Sequence, residues 1–194
     1  MVVHGAGREF DSHMGLDSGN IKWSRKGVVV DEYLQSVSNP RVYAAGDSAD
    51  TAGLKLTPIA VMEAKVASEN LLNGNTATAD YTGSPTTVFS SPPLAMVGIT
   101  EEEALKKNIK VNIKKGEMTS WYNSRRRNIP KSYYKIILDQ NSEKILGAHI
   151  IGVNSEEVIN IFSLAIRLDL DVKTLMSMPF SYPSDTNDIK YMIG

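Results

Sequence analysis

Residues 75–85 (Asn-Thr-Ala-Thr-Ala-Asp-Tyr-Thr-Gly-Ser-Pro) divide this 194-residue chain into two stretches of different pattern. They are polar, rich in threonine and end in Pro85, a composition that makes a linker rather than a core element. The expected architecture is therefore a small α/β piece over residues 1–82 and an α+β domain over 83–194.

Upstream of the linker, Gly27-Val28-Val29-Val30-Asp31 is a β-branched run that reads as a strand. A second run, Arg41-Val42-Tyr43-Ala44-Ala45-Gly46-Asp47, is apolar on both faces and suits a fully buried parallel strand. Thr57-Pro58 is expected to open a helix, with threonine capping its free amides and proline costing no hydrogen bond. Ile59, Met62, Val66 and Leu71 recur at helical spacing, and Asn73-Gly74 stops the helix. Met1-Val2-Val3 reads as the tail of a strand entering the turn His4-Gly5-Ala6-Gly7-Arg8. The Gly5-x-Gly7 pair is no dinucleotide fingerprint, because the third glycine would fall at Phe10 and no helical pattern follows.

Beyond the linker, Thr86-Thr87-Val88-Phe89 and Leu94–Gly98 read as strands around Pro92-Pro93, and Thr100 with Glu103 forms a capping box. Val111 to Met118 alternates as a strand. Tyr133–Asp139 and Ile145–Gly152 form a hairpin about Asn141-Ser142-Glu143. Ser155 is expected to cap a helix reaching Leu168, followed by a short helix near 172–176. The long helix reads as apolar nearly all round, which implies cover on more than one side, the second cover being another subunit.

Composition narrows the chemistry. Hydrophobic residues make up 42% and charged residues 22%, which excludes a disordered or fibrous chain. Lys and Arg number 21 against 22 Asp and Glu, so a nucleic-acid partner is not expected. Cysteine is absent, and with it any thiolate, disulfide or zinc knuckle from this chain. No apolar run reaches the roughly 18–20 residues of a membrane span and no signal peptide is recognisable, so a cytoplasmic protein is expected. His4, His13 and His149 share no metal-ligand spacing, and His149 reads as a satisfied core or interface residue. Arg125-Arg126-Arg127 reads as a solvated loop tip. Trp121 and Tyr122 before it suit either a ligand cover or a sheet edge.

Two features stand above this background. Gly46-Asp47 ends an apolar run where a carboxylate can accept hydrogen bonds from sugar or polyol hydroxyls. Leu56-Thr57-Pro58 begins a helix whose amides and positive dipole end favour negative charge.

With these in order, the residues carry a resemblance. Tyr43-Ala44-Ala45-Gly46-Asp47, Leu56-Thr57-Pro58-Ile59-Ala60 and Val97-Gly98-Ile99-Thr100-Glu101-Glu102-Glu103-Ala104 resemble the flavoprotein pyridine nucleotide–disulfide oxidoreductases. Gly5-Ala6-Gly7-Arg8 is similar to that family's Thr-Gly-Arg turn. The resemblance implies that residues 1–82 are the last segment of an FAD domain and 83–194 the dimerisation, or interface, domain. It implies that Asp47, after Gly46, binds the flavin's ribityl chain, and that the helix at Leu56, Thr57 and Pro58 faces the flavin's pyrimidine edge. It implies FAD and NAD(P)H as cofactors, a homodimer, and an upstream FAD- and NAD(P)H-binding half as partner. The alternative is a free-standing dimerisation or interaction module without redox activity.

The chain departs from the family's closing His-Pro-Thr and glutamate. Ser181-Tyr182-Pro183-Ser184-Asp185-Thr186-Asn187-Asp188 puts Tyr182 at the histidine position and Asn187 at the glutamate position. Tyrosine, with an unperturbed pKa near 10, is a poor base at neutrality, and asparagine cannot orient a cation by charge. Asp185 and Asp188 are expected on a turn surface. The resemblance so altered implies a substrate other than a small disulfide.

Overall fold

The computed structural model describes residues 1–7 and 9–194, so the arginine of the Gly5-Ala6-Gly7-Arg8 turn lies outside the described residues. The chain divides into two compact units, Met1–Tyr81 and Thr82–Gly194.

In the first unit, β1 (Trp23–Ser24) pairs antiparallel with β2 (Gly27–Val29), and β2 pairs parallel with β3 (Ala49–Asp50). The parallel strand expected over 41–47 is not there. Tyr43 makes a lone bridge to Gln35, Gly46–Ser48 is a 3-10 turn, and the ladder to β2 begins only at Ala49. The backbone of 42–44 is engaged with the preceding turn instead, Ser36 N donating to Val42 O and Ala44 N to Leu34 O, and Gly46, at φ 65°, then turns the chain out of the extended region. Met1, Val2 and Val3 are exposed and form no strand, having no neighbouring strand to pair with.

Helix α1 (Thr57–Asn73) starts one residue earlier than expected. Leu56 is the N-cap and makes no side-chain cap, and Thr57 lies inside the helix. Gly74 ends it with φ 86° and donates its N–H to Asn70 O. Its buried positions are Ile59, Glu63, Ala67 and Asn70, so half of the inward stripe is polar. Asn70 donates to Tyr33 O (2.9 Å) and Ala77 O (2.8 Å) and accepts from the amides of Thr76 and Ala77. Asn75 accepts from the Tyr43 hydroxyl at 2.6 Å. The first half of the linker stretch is thus stitched to the helix and is not a loose tether.

The second unit is a five-stranded antiparallel sheet in the order β4-β5-β8-β7-β6, formed by Thr86–Val88, Leu94–Gly98, Val111–Glu117, Tyr133–Asp139 and Ile145–Ile151 for β4 to β8. Its helices are α2 (Glu101–Lys106), α3 (Tyr122–Arg126), α4 (Ser155–Arg167), α5 (Val172–Ser177) and α6 (Ile189–Ile193). The Thr100–Glu103 capping box is complete in both directions. The core joins Ile136, Leu138, Ala148 and Ile150 from the sheet to Val158, Ile159, Phe162 and Ala165 from α4, closed by Leu175, Ile189 and Ile193.

Helix α4 is capped by Asn154, at φ 61°, and not by Ser155. Ser155 is buried and donates its hydroxyl to Pro93 O at 2.9 Å. Within the single chain the sheet covers only part of the helix. One stripe packs on the sheet, while Glu157, Asn160, Leu164 and Arg167 lie on an exposed face. Helical phase explains it: the polar residues between the apolar ones fall together on the outer side. Leu164 (52% exposed) and Leu168 (58%) remain as outward apolar positions.

Candidate functional site

Within the first unit the features converge on the Gly46–Asp47 turn. Gly46 is buried, and its N–H donates to Glu63 Oε2 at 2.6 Å. Its carbonyl accepts from Lys55 Nζ at 3.1 Å, and the same ammonium also donates to Ala49 O. A side chain on Gly46 would come within 2.9 Å of Ala60 Cβ, so glycine is required by space as well as by φ. Asp47 follows as an exposed residue on a cleft of about 410 Å³ lined also by Phe10, Arg25, Lys26 and Lys55. Leu56, Thr57 and Pro58 open α1, the last two exposed, and the N-cap residue Leu56 supplies no side-chain cap to the first-turn amides.

Glu63 went unnoticed in the sequence, because a carboxylate inside an apolar stripe breaks no pattern strongly enough to be seen. It is 1% exposed and accepts three hydrogen bonds: from Gly46 N, from Thr51 Oγ1 at 2.7 Å and from Tyr81 Oη at 2.8 Å. Burial, and then the adjacent Glu63 carboxylate, push the Tyr81 phenol up to about 12.

In the second unit, Tyr182 is 72% exposed and its ring stacks on Tyr122. Asn187 is half-buried and donates its backbone N–H to Ser184 Oγ at 3.1 Å. Asp185 and Asp188 are not on a solvated turn. Asp185 is ion-paired with Arg127 and accepts from Asn154 Nδ2 at 2.7 Å. Asn123, buried, donates to both Ser184 O (2.9 Å) and Asp188 Oδ2 (3.0 Å). Burial raises the Asp188 carboxyl above the usual aspartate range, opposed by the Asn123 hydrogen bond. The tip expected at Arg125–Arg127 is therefore helix α3 and its exit, with Arg127 turned inward to meet this acidic segment. Trp121 packs partly buried against Tyr134 and Tyr191, whereas Tyr122 is outward.

His149 is half-buried, with Nε2 3.2 Å from Ile99 O, a satisfied histidine. Among the described residues no three His, Asp or Glu side chains gather as a metal site, and no helix is long and apolar enough to cross a membrane.

Comparison with known proteins places these features in context. Residues 84–193 match the dimerisation domain of the pyridine nucleotide-disulphide oxidoreductases, and residues 1–64 match a second model of pyridine nucleotide-disulphide oxidoreductase. An uncharacterized 19.7 kDa protein in the mercuric resistance operon of Staphylococcus aureus is 42% identical over 180 residues, 93% of this chain and all of that one. Mercuric reductase of Staphylococcus aureus is 31% identical over 84% of this chain, and glutathione reductase of Nostoc 30% over 85%. These matches span only 29% and 36% of the two reductases. The HOCl-induced flavoprotein disulfide reductase RclA of Escherichia coli superposes with a TM-score of 0.85 at 27% identity, over 97% of this chain and 43% of RclA.

Proposed function

This chain belongs to the pyridine nucleotide-disulphide oxidoreductase family, and on that premise we propose that it provides the C-terminal part of an FAD- and NAD(P)H-dependent oxidoreductase. Residues 1–82 supply one wall of the flavin site and residues 83–194 the dimerisation domain. The observation that carries the reading is the Gly46–Asp47 turn, held from both its N–H and its C=O and presenting a carboxylate on a cleft. The donor set fits part of a flavin: Asp47 suits the hydroxyls of the ribityl chain. The amides at Thr57 and the helix dipole suit the electron-rich pyrimidine edge. FAD, when bound, would accept a hydride from the nicotinamide and pass its electrons onward. Asp47 orients the polyol, and the start of α1 favours the negative charge of the reduced ring.

Tyr182 and Asn187 stand at the positions of the family's histidine and glutamate. A phenol is a poor general base beside an imidazole, and Asn187 brings no charge to it. This pair is unsuited to shuttling protons for a dithiol, which supports an electron acceptor other than a small disulfide. Addition of FAD to the isotope-labelled chain, read by backbone amide resonances, tests the flavin wall. Shifts centred on Asp47 and the first turn of α1 are expected, and their absence overturns it.

A second reading is favoured by the 19.7 kDa relative, which this chain covers from end to end. In it, the chain is a free-standing dimerisation module without redox activity. A self-associating chain whose Asp47 and Thr57 resonances ignore FAD at millimolar concentration would select it.

A further inference from the structure

We propose that Glu63 is a positioning residue, its buried carboxylate fixing the Gly46–Asp47 turn in the geometry that presents Asp47 to a ligand. Where that ligand is taken to be a flavin, the proposal rests on the reading above.

A carboxylate that is 1% exposed is tolerated only when its lone pairs are met, and here three donors meet them. The bond to Gly46 N is the shortest of the three at 2.6 Å, as expected for a charged acceptor. What distinguishes this from an ordinary satisfied core group is the state of the turn itself. Gly46 takes part in no strand ladder; its N–H is held by the Glu63 side chain, and its carbonyl, which closes the 3-10 turn by accepting from Ala49 N, also accepts from Lys55. Its N–H therefore depends on a side chain, Glu63, where a strand ladder would have supplied a backbone partner. Helix α1 acts on the turn twice from positions one helical turn apart. Ala60 limits the space beside Gly46 Cα, and Glu63 takes its N–H. Thr51 and Tyr81 in turn fix the carboxylate by binding its other oxygen. Gly53 is tight against the same group, since an added Cβ would lie 2.5 Å from the Tyr81 ring and 2.9 Å from Glu63 Oε1. Asp47 is thus carried on a turn whose rigidity is supplied from behind.

The test uses the full chain, labelled with nitrogen-15, and measures amide hydrogen exchange residue by residue. In Glu63→Gln the Gly46 amide is expected to exchange about tenfold faster, because a charged acceptor is replaced by a neutral one. Amides of β7 and β8 serve as internal controls and are expected to keep their parent rates. The same variant should ionise Tyr81 below the parent value of about 12, since the carboxylate that opposes the phenolate is gone. Should Glu63→Gln fail to fold, Thr51→Val removes one of the carboxylate's donors without touching Gly46. About threefold faster exchange at Gly46 is then expected, smaller than in Glu63→Gln because the effect reaches Gly46 only through the loosened carboxylate. Parent-like exchange at Gly46 in the folded variant overturns the proposal. FAD titrated into the parent chain speaks separately to the flavin reading: no shift at Asp47 defeats that reading and leaves the Gly46 result standing on its own.

Discussion

The ring of Tyr182 lies against that of Tyr122, with centroids 6.3 Å apart and planes inclined by 27°. Tyr122 belongs to α3 and Tyr182 to the segment that Arg127 and Asn123 anchor, so the stack is the outer end of a clamp that begins in the interior. In a reductase assembled around this chain, Tyr182→Phe keeps the stack and removes only the hydroxyl. Flavin reduction by the nicotinamide is expected to be almost unchanged in stopped-flow measurements, because that half-reaction needs no acid–base group here. A loss beyond about tenfold, worth roughly 1.4 kcal/mol, would give the hydroxyl a direct part in that step.

The chain as purified is expected to carry no stoichiometric FAD. Asp47 and the start of α1 address only part of the cofactor, and the dinucleotide fingerprint is absent from residues 5–10. Visible absorption of the purified chain checks this, and a full complement of bound flavin would contradict it.

Self-association is expected through the second unit. The outward face of α4 offers Leu164 and Leu168, and a two-fold axis would bury them against their copies. Leu164→Glu is expected to weaken the dimer by tenfold or more in sedimentation equilibrium, about 1.4 kcal/mol. The sheet also leaves Leu94 (42% exposed) and Tyr133 (40%) outward, beside Ile151. If Ile151→Glu dissociates the dimer and Leu164→Glu does not, the interface is that sheet face instead.

Asp188 makes stability depend on pH in an unusual direction. Its carboxyl is raised in the folded chain, first by burial and then by the neighbouring Asp185, so the folded state binds this proton more tightly than the unfolded chain. The stabilisation it supplies is complete in acid and is lost as pH rises through the raised value. Asp188→Asn should therefore gain in Tm relative to the parent near neutrality, and the gain should shrink in mild acid. A difference that widens in acid would contradict this assignment.

The capping box gives a simpler case. Thr100→Ala removes the acceptor of the Glu103 amide and should cost about 1 kcal/mol, or roughly 2–4 °C in Tm. Thermal unfolding followed by circular dichroism measures it.

How far the fold was legible depended on which force shaped each part. The strands of the second unit were readable because alternation, Pro92-Pro93 and Asn141-Ser142-Glu143 all agree on the same hairpins. The first unit was read less well because its order comes from polar contacts. Glu63 and Asn70 hold α1 to the turns around it, and an apolar-period search passes over both. The run at 41–47 has strand composition, yet its backbone pairs with residues 34–36 and leaves the extended region at Gly46. Helices α3 and α6 have only five residues each, too few for a period to declare itself. For the candidate site, Asp47 stands out by its place after an apolar run, and the turn that carries it is where expected even though the strand is not. The Arg127–Asp185 pair was missed because its partners are 58 residues apart in sequence.

The strand order of the second unit also sets the sequence of events in its birth. β5 must find β8, pairing Leu94 with Ile151 across more than fifty intervening residues, before the centre of the sheet exists. As the chain leaves the ribosome, the β4–β5 hairpin is made early but has no partner on its inner edge until β8 emerges. Helix α4, which seals the core, arrives later still. Assembly is then governed by long-range closure, which slows folding relative to a hairpin-by-hairpin sheet. Through that interval the nascent edge of β5 is the segment most exposed to mispairing and the one a chaperone would shield.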